Sequence, residues 1–453
     1  MKNKFDLTKG SIVKNLLKFS VPYLISCFLQ TFYGLADLYI TGQYNGAAAI
    51  SAVSIGSQVM HMITVIIVGF AMGTTVLISN YIGAKKRDMV KDTIGNSIVF
   101  FAVIATIMTV SLLVFTDCII KYLAVPVEAV AGTKQYLLVC FVGVVFITSY
   151  NVICSIFRGL GNSITPMYFV AIAGVINIGL DYLFIGQFKL AAFGAALATV
   201  ISQALSVIMA LFYSINKVPE IRINKANLRI KRELAGNLLK IGFPVAMQDG
   251  LIQIAFLVIT IIANMRGVEV AAAVGIVEKL IGFMFLVPSA MLSAVSTITA
   301  ANIGANTPRR GKKTLYCGIG VCLISGLIFT IICLIDAENI LRLFANEEET
   351  VILMGAQYLR SYVFDCLIAG VHFCFSGYFC AYNKSWISFV HNIISIVVMR
   401  IPGAYFASVM YPETLLPMGM AAPLGSLLSA IICVIAYIII NKKTDNYSKQ
   451  YNL

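Results

Sequence analysis

Twelve apolar runs, each long enough to cross a bilayer, follow one another with short polar breaks, near residues 16–41, 50–80, 94–116, 135–157, 165–186, 190–214, 237–264, 270–300, 315–335, 355–381, 387–410 and 415–440. A helix needs about 20 apolar residues to cross the hydrocarbon core, and no water there satisfies an irregular backbone. The chain is therefore expected to be an all-α integral membrane protein with twelve transmembrane helices. Composition agrees, because 59% of the 453 residues are hydrophobic and 12% charged, against about 25% charged in soluble domains. The formal charge of +13 gathers on no amphipathic face, so nucleic acid is not indicated.

The basic residues alternate by side instead. The N-terminus (Lys2 and Lys4 included), the even-to-odd loops and the C-terminal tail hold 25 of the 33 Lys and Arg. Six fall opposite, at Lys121, Lys134, Lys189, Arg266, Arg342 and Arg360, while Glu347, Glu348 and Glu349 sit in an outside loop. Positive charge marks the cytoplasmic side, so both termini are expected there, in a multi-pass protein of the cell (inner) membrane. No small-residue cleavage site follows the first run, and the first helix is read as retained. Eleven cysteines, from Cys27 to Cys433, show no C-x-x-C pair, which argues against a disulfide or zinc scaffold. There is no P-loop, kinase set or G-x-S-x-G, so the expectation is not an enzyme, and no cofactor.

A basic loop near 215–236 divides the chain into near-equal parts, read as a lobe of residues 1–220 and a lobe of residues 221–453. The two repeat one another. Leu16-Leu17-Lys18 recurs as Leu238-Leu239-Lys240 and Pro22 as Pro244 at an offset of 222, and Ile82-Gly83-Ala84 recurs as Ile303-Gly304-Ala305 at 221. Tyr136-Leu137 matches Tyr358-Leu359 at 222. Six spans per half give both the same topological sense, hence two six-helix bundles related by a pseudo-two-fold axis along the membrane normal. Carriers built this way rock one half against the other around a site between them.

Ionisable groups within spans are costly and are candidates for function. Five acids qualify, Asp37, Asp181, Asp249, Glu278 and Asp365. The repeat acts as an internal control: at 222, Asp37 faces Ile259, Asn177 faces Met399 and Asp181 faces Gly403, and at 225 Thr199 faces Leu424. These four polar groups belong to the first half alone. Asn177 and Asp181 share a helix face, and Asp37 and Thr199 are expected to complete a cluster of oxygen ligands suited to H+ or Na+. A static hydrogen-bonded core is the alternative for each acid. Lys279 and Arg400, with Asp249, Glu278 and Asp365, are expected to form buried ion pairs in the second half, a structural role being preferred to substrate contact. His61, His372 and His391 share no metal spacing, and Pro22 and Pro244 each permit a helix bend.

These residues resemble the multidrug and toxic compound extrusion (MATE) transporters of prokaryotic type. The specific signs are Pro22 followed by Asp37, Asn177 to Asp181 as Asn-Ile-Gly-Leu-Asp, and Phe157 to Asn162 as Phe-Arg-Gly-Leu-Gly-Asn. The resemblance implies a secondary active multidrug antiporter, acting as a monomer in the lipid bilayer. It would couple H+ or Na+ entry to export of small organic, often cationic, compounds. It implies a cation site of Asp37, Asn177, Asp181 and Thr199, with Tyr136 lining the same lobe and bending at Pro22 closing its cavity. A further Asn of that site falls at Cys154. The family's other branch uses a Glu that aligns with Gln253 and an Asp about one turn from Asp365, which makes a second-lobe cation site less expected. The alternative is a flippase for lipid-linked saccharides, which would want a cationic cavity, whereas only Lys279 and Arg400 lie within spans.

Overall fold

The computed structural model describes residues 6–123, 125–345 and 348–450; Lys2, Lys4 and Glu347 lie outside the described residues. Among those described, twelve helices are long and apolar enough to cross a membrane. They are α1 (Ile12–Tyr44), α2 (Ala47–Gly83), α3 (Arg87–Val114), α4 (Val127–Gly159), α5 (Ile164–Gln187), α6 (Ala191–Lys217), α7 (Arg232–Asn264), α8 (Val268–Gly304), α9 (Pro308–Arg342), α10 (Glu349–Ala381), α11 (Trp386–Met410) and α12 (Leu416–Ile440). Several outrun their apolar runs. The ninth run, read at 315–335, belongs to a helix that starts at Pro308 and carries Arg309, Arg310, Lys312 and Lys313 in its first turns. Long basic side chains lay their stems along apolar surface and keep their charge in water, so a helix continues past the hydrocarbon edge.

Five of the helices are irregular, α9 through non-helical backbone at Asp336 (φ −123°, ψ 24°). In α8 the α-helix is interrupted at Phe285, between Val268–Met284 and Leu286–Gly304. Pro288 follows, and proline offers no N–H to the carbonyl four residues earlier. α10 breaks at Val363, two residues before Asp365. α5 passes into a π-helical turn at Tyr182–Gln187, directly after Asp181, and α11 contains one at Ile396–Arg400. α1 and α7 run through Pro22 and Pro244, and the Ser26 hydroxyl donates to the Pro22 carbonyl at 2.9 Å.

The chain forms two compact units. The first comprises residues 6–9, 17–246 and 300–306, and the second residues 10–16, 247–299 and 307–450. Ile40, Val53, Ile67, Phe141 and Ile185 centre the core of the first unit, and Ile259, Val274, Leu341, Tyr358 and Tyr362 that of the second.

Within the first unit the repeated Ile-Gly-Ala motif has a physical reason. A Cβ on Gly83 would lie 1.9 Å from the Ala301 carbonyl oxygen, and a Cβ on Gly304 would lie 1.9 Å from that of Asn80. The ends of α2 and α8 thus touch backbone to backbone, reciprocally, and the Asn80 amide donates to the Ala300 carbonyl at 3.3 Å. Gly73 and Gly242 extend the close approach along α2 and α7, where added Cβ atoms would meet the carbonyls of Leu238 at 2.5 Å and Phe70 at 2.3 Å.

The long basic loop is stapled to α3. Asp92 accepts from the Lys231 ammonium and, at 2.9 Å, from the Asn227 amide, while the Lys231 N–H donates to the Asn96 side chain at 2.9 Å. Asp92→Ala should release this loop, at a cost of about 1 kcal/mol after discounting for partial exposure. Faster tryptic cleavage between Arg222 and Arg232 would register the release. An unchanged cleavage rate would show that the staple does not restrain it.

Candidate functional site

The Phe157-to-Asn162 motif aims the helix that carries half the site. Gly161 adopts φ +83°, in the left-handed region that favours glycine, and the Asn162 side chain accepts from the N–H groups of Ile164 and Thr165 at 3.1 and 3.0 Å. From that start α5 runs to Asn177 and Asp181, one turn apart, which are 1% and 0% exposed. Asp37 of α1 is 5% exposed and faces them. On α6, the Thr199 hydroxyl lies 3.0 Å from the Ala195 carbonyl and 3.4 Å from Asp37 Oδ2, donating between the two. The structure therefore brings together Asp37, Asn177, Asp181 and Thr199 inside the first unit.

Polar atoms there are left over. Asp37 Oδ1, both carboxylate oxygens of Asp181 and both amide atoms of Asn177 are buried without a hydrogen-bond partner. Neither acid makes a salt bridge among the described residues. Buried polar groups are normally paired, and a buried carboxylate without a partner is costly. The two carboxylates also face one another directly. The arrangement is a set of oxygen donors that a proton or a small hard cation would satisfy. The π turn beginning at Tyr182 places an irregular backbone beside it, a feature frequent at functional positions.

Tyr136 of α4 is 2% exposed, and its ring lies on Gly56, where a Cβ would come within 2.3 Å of the ring. Its phenol lies in the field of both Asp37 and Asp181. Three neighbours escaped the sequence reading. Tyr33 and Cys140 also lie in the field of Asp37, and Gln203 donates to the Tyr33 hydroxyl at 3.3 Å. Each is one helical turn from a residue already singled out: Tyr33 from Asp37, Cys140 from Tyr136 and Gln203 from Thr199. That spacing is the signal that could have found them. Cys154 is not part of the cluster. It lies 18 residues beyond Tyr136 on the same helix, roughly 27 Å along the axis, and its electrostatic neighbours are Tyr150 and Arg158.

The expected ion pairs of the second unit do not form. Arg400 is buried, yet its guanidinium donates to the Tyr362 hydroxyl and covers the Phe256 ring at 4.9 Å. Lys279 is exposed, and among the described residues neither it nor Arg400 comes within salt-bridge distance of an acid. Glu278 accepts from the Thr260 hydroxyl at 3.1 Å, Asp249 faces the Gln248 amide at 3.5 Å, and Gln253 is half-buried. Asp365 is fully buried with neither oxygen hydrogen-bonded. Of the histidines, His61 is exposed, while His372 and His391 are buried with ring centres 5.4 Å apart.

Comparison with known proteins identifies relatives of the whole chain. The probable multidrug resistance protein YpnP of Bacillus subtilis (strain 168) is 28% identical over 403 residues, which is 88% of this chain and 89% of that protein. The multidrug export protein MepA of Staphylococcus haemolyticus (strain JCSC1435) is 26% identical over 375 residues, 82% of each. A solved structure of the outward-facing conformation of a multidrug resistance MATE family transporter has the same fold, with a TM-score of 0.90 over 98% of this chain and 99% of that one at 20% identity. The MatE family model matches twice, over residues 22–183 and 244–406, once in each half. Matched in both halves and over most of its length, the chain belongs to the MatE family of multidrug and toxic compound extrusion transporters.

Proposed function

We propose that this transporter is a secondary active exporter in which H+ or Na+, moving inward, is exchanged for an organic compound moving outward at the expense of the ion gradient. Asp37 and Asp181 would take up and release the cation, Asn177 and Thr199 would lend neutral oxygens, and Tyr136 would line the pocket. The observation that carries this reading is the pair of buried carboxylates with unpartnered oxygens and no salt bridge among the described residues. In this scheme residues 1–220 and 221–453 rock as two lobes, both termini lie in the cytoplasm of a cell whose plasma membrane houses a single working chain, and α1 bends at Pro22. The relatives are named for multidrug resistance or export, and an acidic pocket suits an organic cation better than a lipid-linked diphosphate.

Reconstituted vesicles with proton and sodium gradients imposed separately test the proposal. Efflux of a fluorescent organic cation should follow one of the two gradients. Movement indifferent to both would overturn it. Thr199→Val, which removes the one hydroxyl donated to Asp37, should shift the ion concentration for half-maximal efflux by about 2- to 10-fold, the worth of one hydrogen bond. An unshifted profile would remove Thr199 from the ion site.

A further inference from the structure

The second unit contains its own buried acid, Asp365, and a buried cation, Arg400, whose guanidinium donates to the hydroxyl of Tyr362, three residues from that acid on α10. Sequence offset alone sets Met399 opposite Asn177, but the structure corrects that register. α11 contains a π turn at Ile396–Arg400, where α5 is still α-helical as far as Asp181. Such a turn accommodates one extra residue, so between it and the π turn of α5 at Tyr182–Gln187 the correspondence moves from 222 to 223. At 223 the counterpart of Asn177 is Arg400, and that of Asp181 is Ala404; at 222 the counterpart of Asp37 remains Ile259. Both Ile259 and Ala404 are buried and apolar. Where the first half has the Asn177 amide, the second has the Arg400 guanidinium.

Arg400 is 8% exposed, and its Nε has no hydrogen-bond partner. The groups in its field are Tyr362, Asp365 and Tyr358 of α10 and Glu278 of α8, with His372 also facing it. α7 contributes the Phe256 ring, and Ser426 of α12 approaches Asp365 without closing a hydrogen bond. Beside Arg400 is a cavity of about 20 Å³, edged by His372, Asn392, Ser395 and Ser426. That is room for a water-sized guest and no more. Arginine keeps its proton throughout the physiological range, so the charge cannot leave as a bound ion would.

We infer that Arg400 is a tethered cation that stands in for an exchangeable one in the second half, its charge offsetting Asp365 through space without a direct ion pair, so that only the first half exchanges ions. The inference rests on the second unit alone and does not need the first-half reading to hold. Removing the guanidinium should convert the region into a binding site for a monovalent cation, either H+ or Na+.

The test uses full-length protein carrying Asp37→Asn and Asp181→Asn, so that the first-half acids contribute nothing. Purified in detergent, it is compared with the same protein carrying Arg400→Gln for proton uptake on acidification and for binding of radioactive sodium. One additional cation per molecule is expected with Arg400→Gln, none with Arg400→Lys, and none when Asp365→Asn accompanies Arg400→Gln. No additional cation, or one that persists without Asp365, overturns the inference. If Arg400→Gln alone does not fold, rescue by Asp365→Asn supports it, because the harm then came from an uncompensated buried acid. Failure of both to fold overturns it.

Discussion

Asp37→Asn and Asp181→Asn should each abolish gradient-driven export while leaving the protein folded and in the membrane. An amide matches a carboxylate in shape but can neither bind a proton nor bring charge to a metal ion. Each substitution therefore holds its position permanently in the neutral state and stops the cycle there. Coupling between two ligands of one protein is typically about 1–3 kcal/mol, or roughly 5- to 150-fold in affinity; the variants should lose all of it. Folding should not suffer, because both carboxylates are buried without a salt bridge among the described residues, and neutralising such a group relieves a cost instead of breaking a bond. Initial rates of dye efflux from reconstituted vesicles, with thermal unfolding measured alongside, separate the two effects. Wild-type coupled export by both variants would remove these acids from the mechanism.

A second large effect is expected where α2 meets α8. Gly83→Val and Gly304→Val each place carbon atoms on a backbone carbonyl that has no rotamer with which to move aside. Overpacking of this kind costs about 1–3 kcal/mol. The midpoint of thermal unfolding in detergent should fall for both variants. Because each substitution pries open the same contact, the double variant should lose less than the sum of the two. Gly320→Val is the control, since a Cβ there would meet nothing within 4 Å. Unfolding of Gly83→Val at the wild-type temperature would contradict the close approach.

The helix count was legible because hydrocarbon thickness writes itself into run length, and the cluster was legible because acids are rare within spans and the repeat showed which half held them. What escaped has equally physical reasons. Pro288 goes with the break at Phe285, but no local residue pattern announces the break at Val363 or the two π turns. The one-residue register change in α11 followed from that, and with it the assignment of Arg400 opposite Asn177. Ion pairs among Glu278, Asp365, Lys279 and Arg400 were expected from cost alone, but direction decides contact: Lys279 points outward and Arg400 spends its fork on Tyr362 and Phe256. Tyr33, Cys140 and Gln203 looked like ordinary span residues until the helices that carry them were assembled around Asp37.

Reciprocity between cation and cargo offers the most direct measurement, namely the affinity of purified protein for a fluorescent organic cation as H+ or Na+ is raised. If Asp37 and Asp181 hold the exchanged ion, dye affinity in the wild type falls as one of these cations rises, and in the protein carrying both Asn substitutions it stays flat. A doubly substituted protein whose dye affinity still falls with the cation as steeply as the wild type's would place the coupling elsewhere in the molecule.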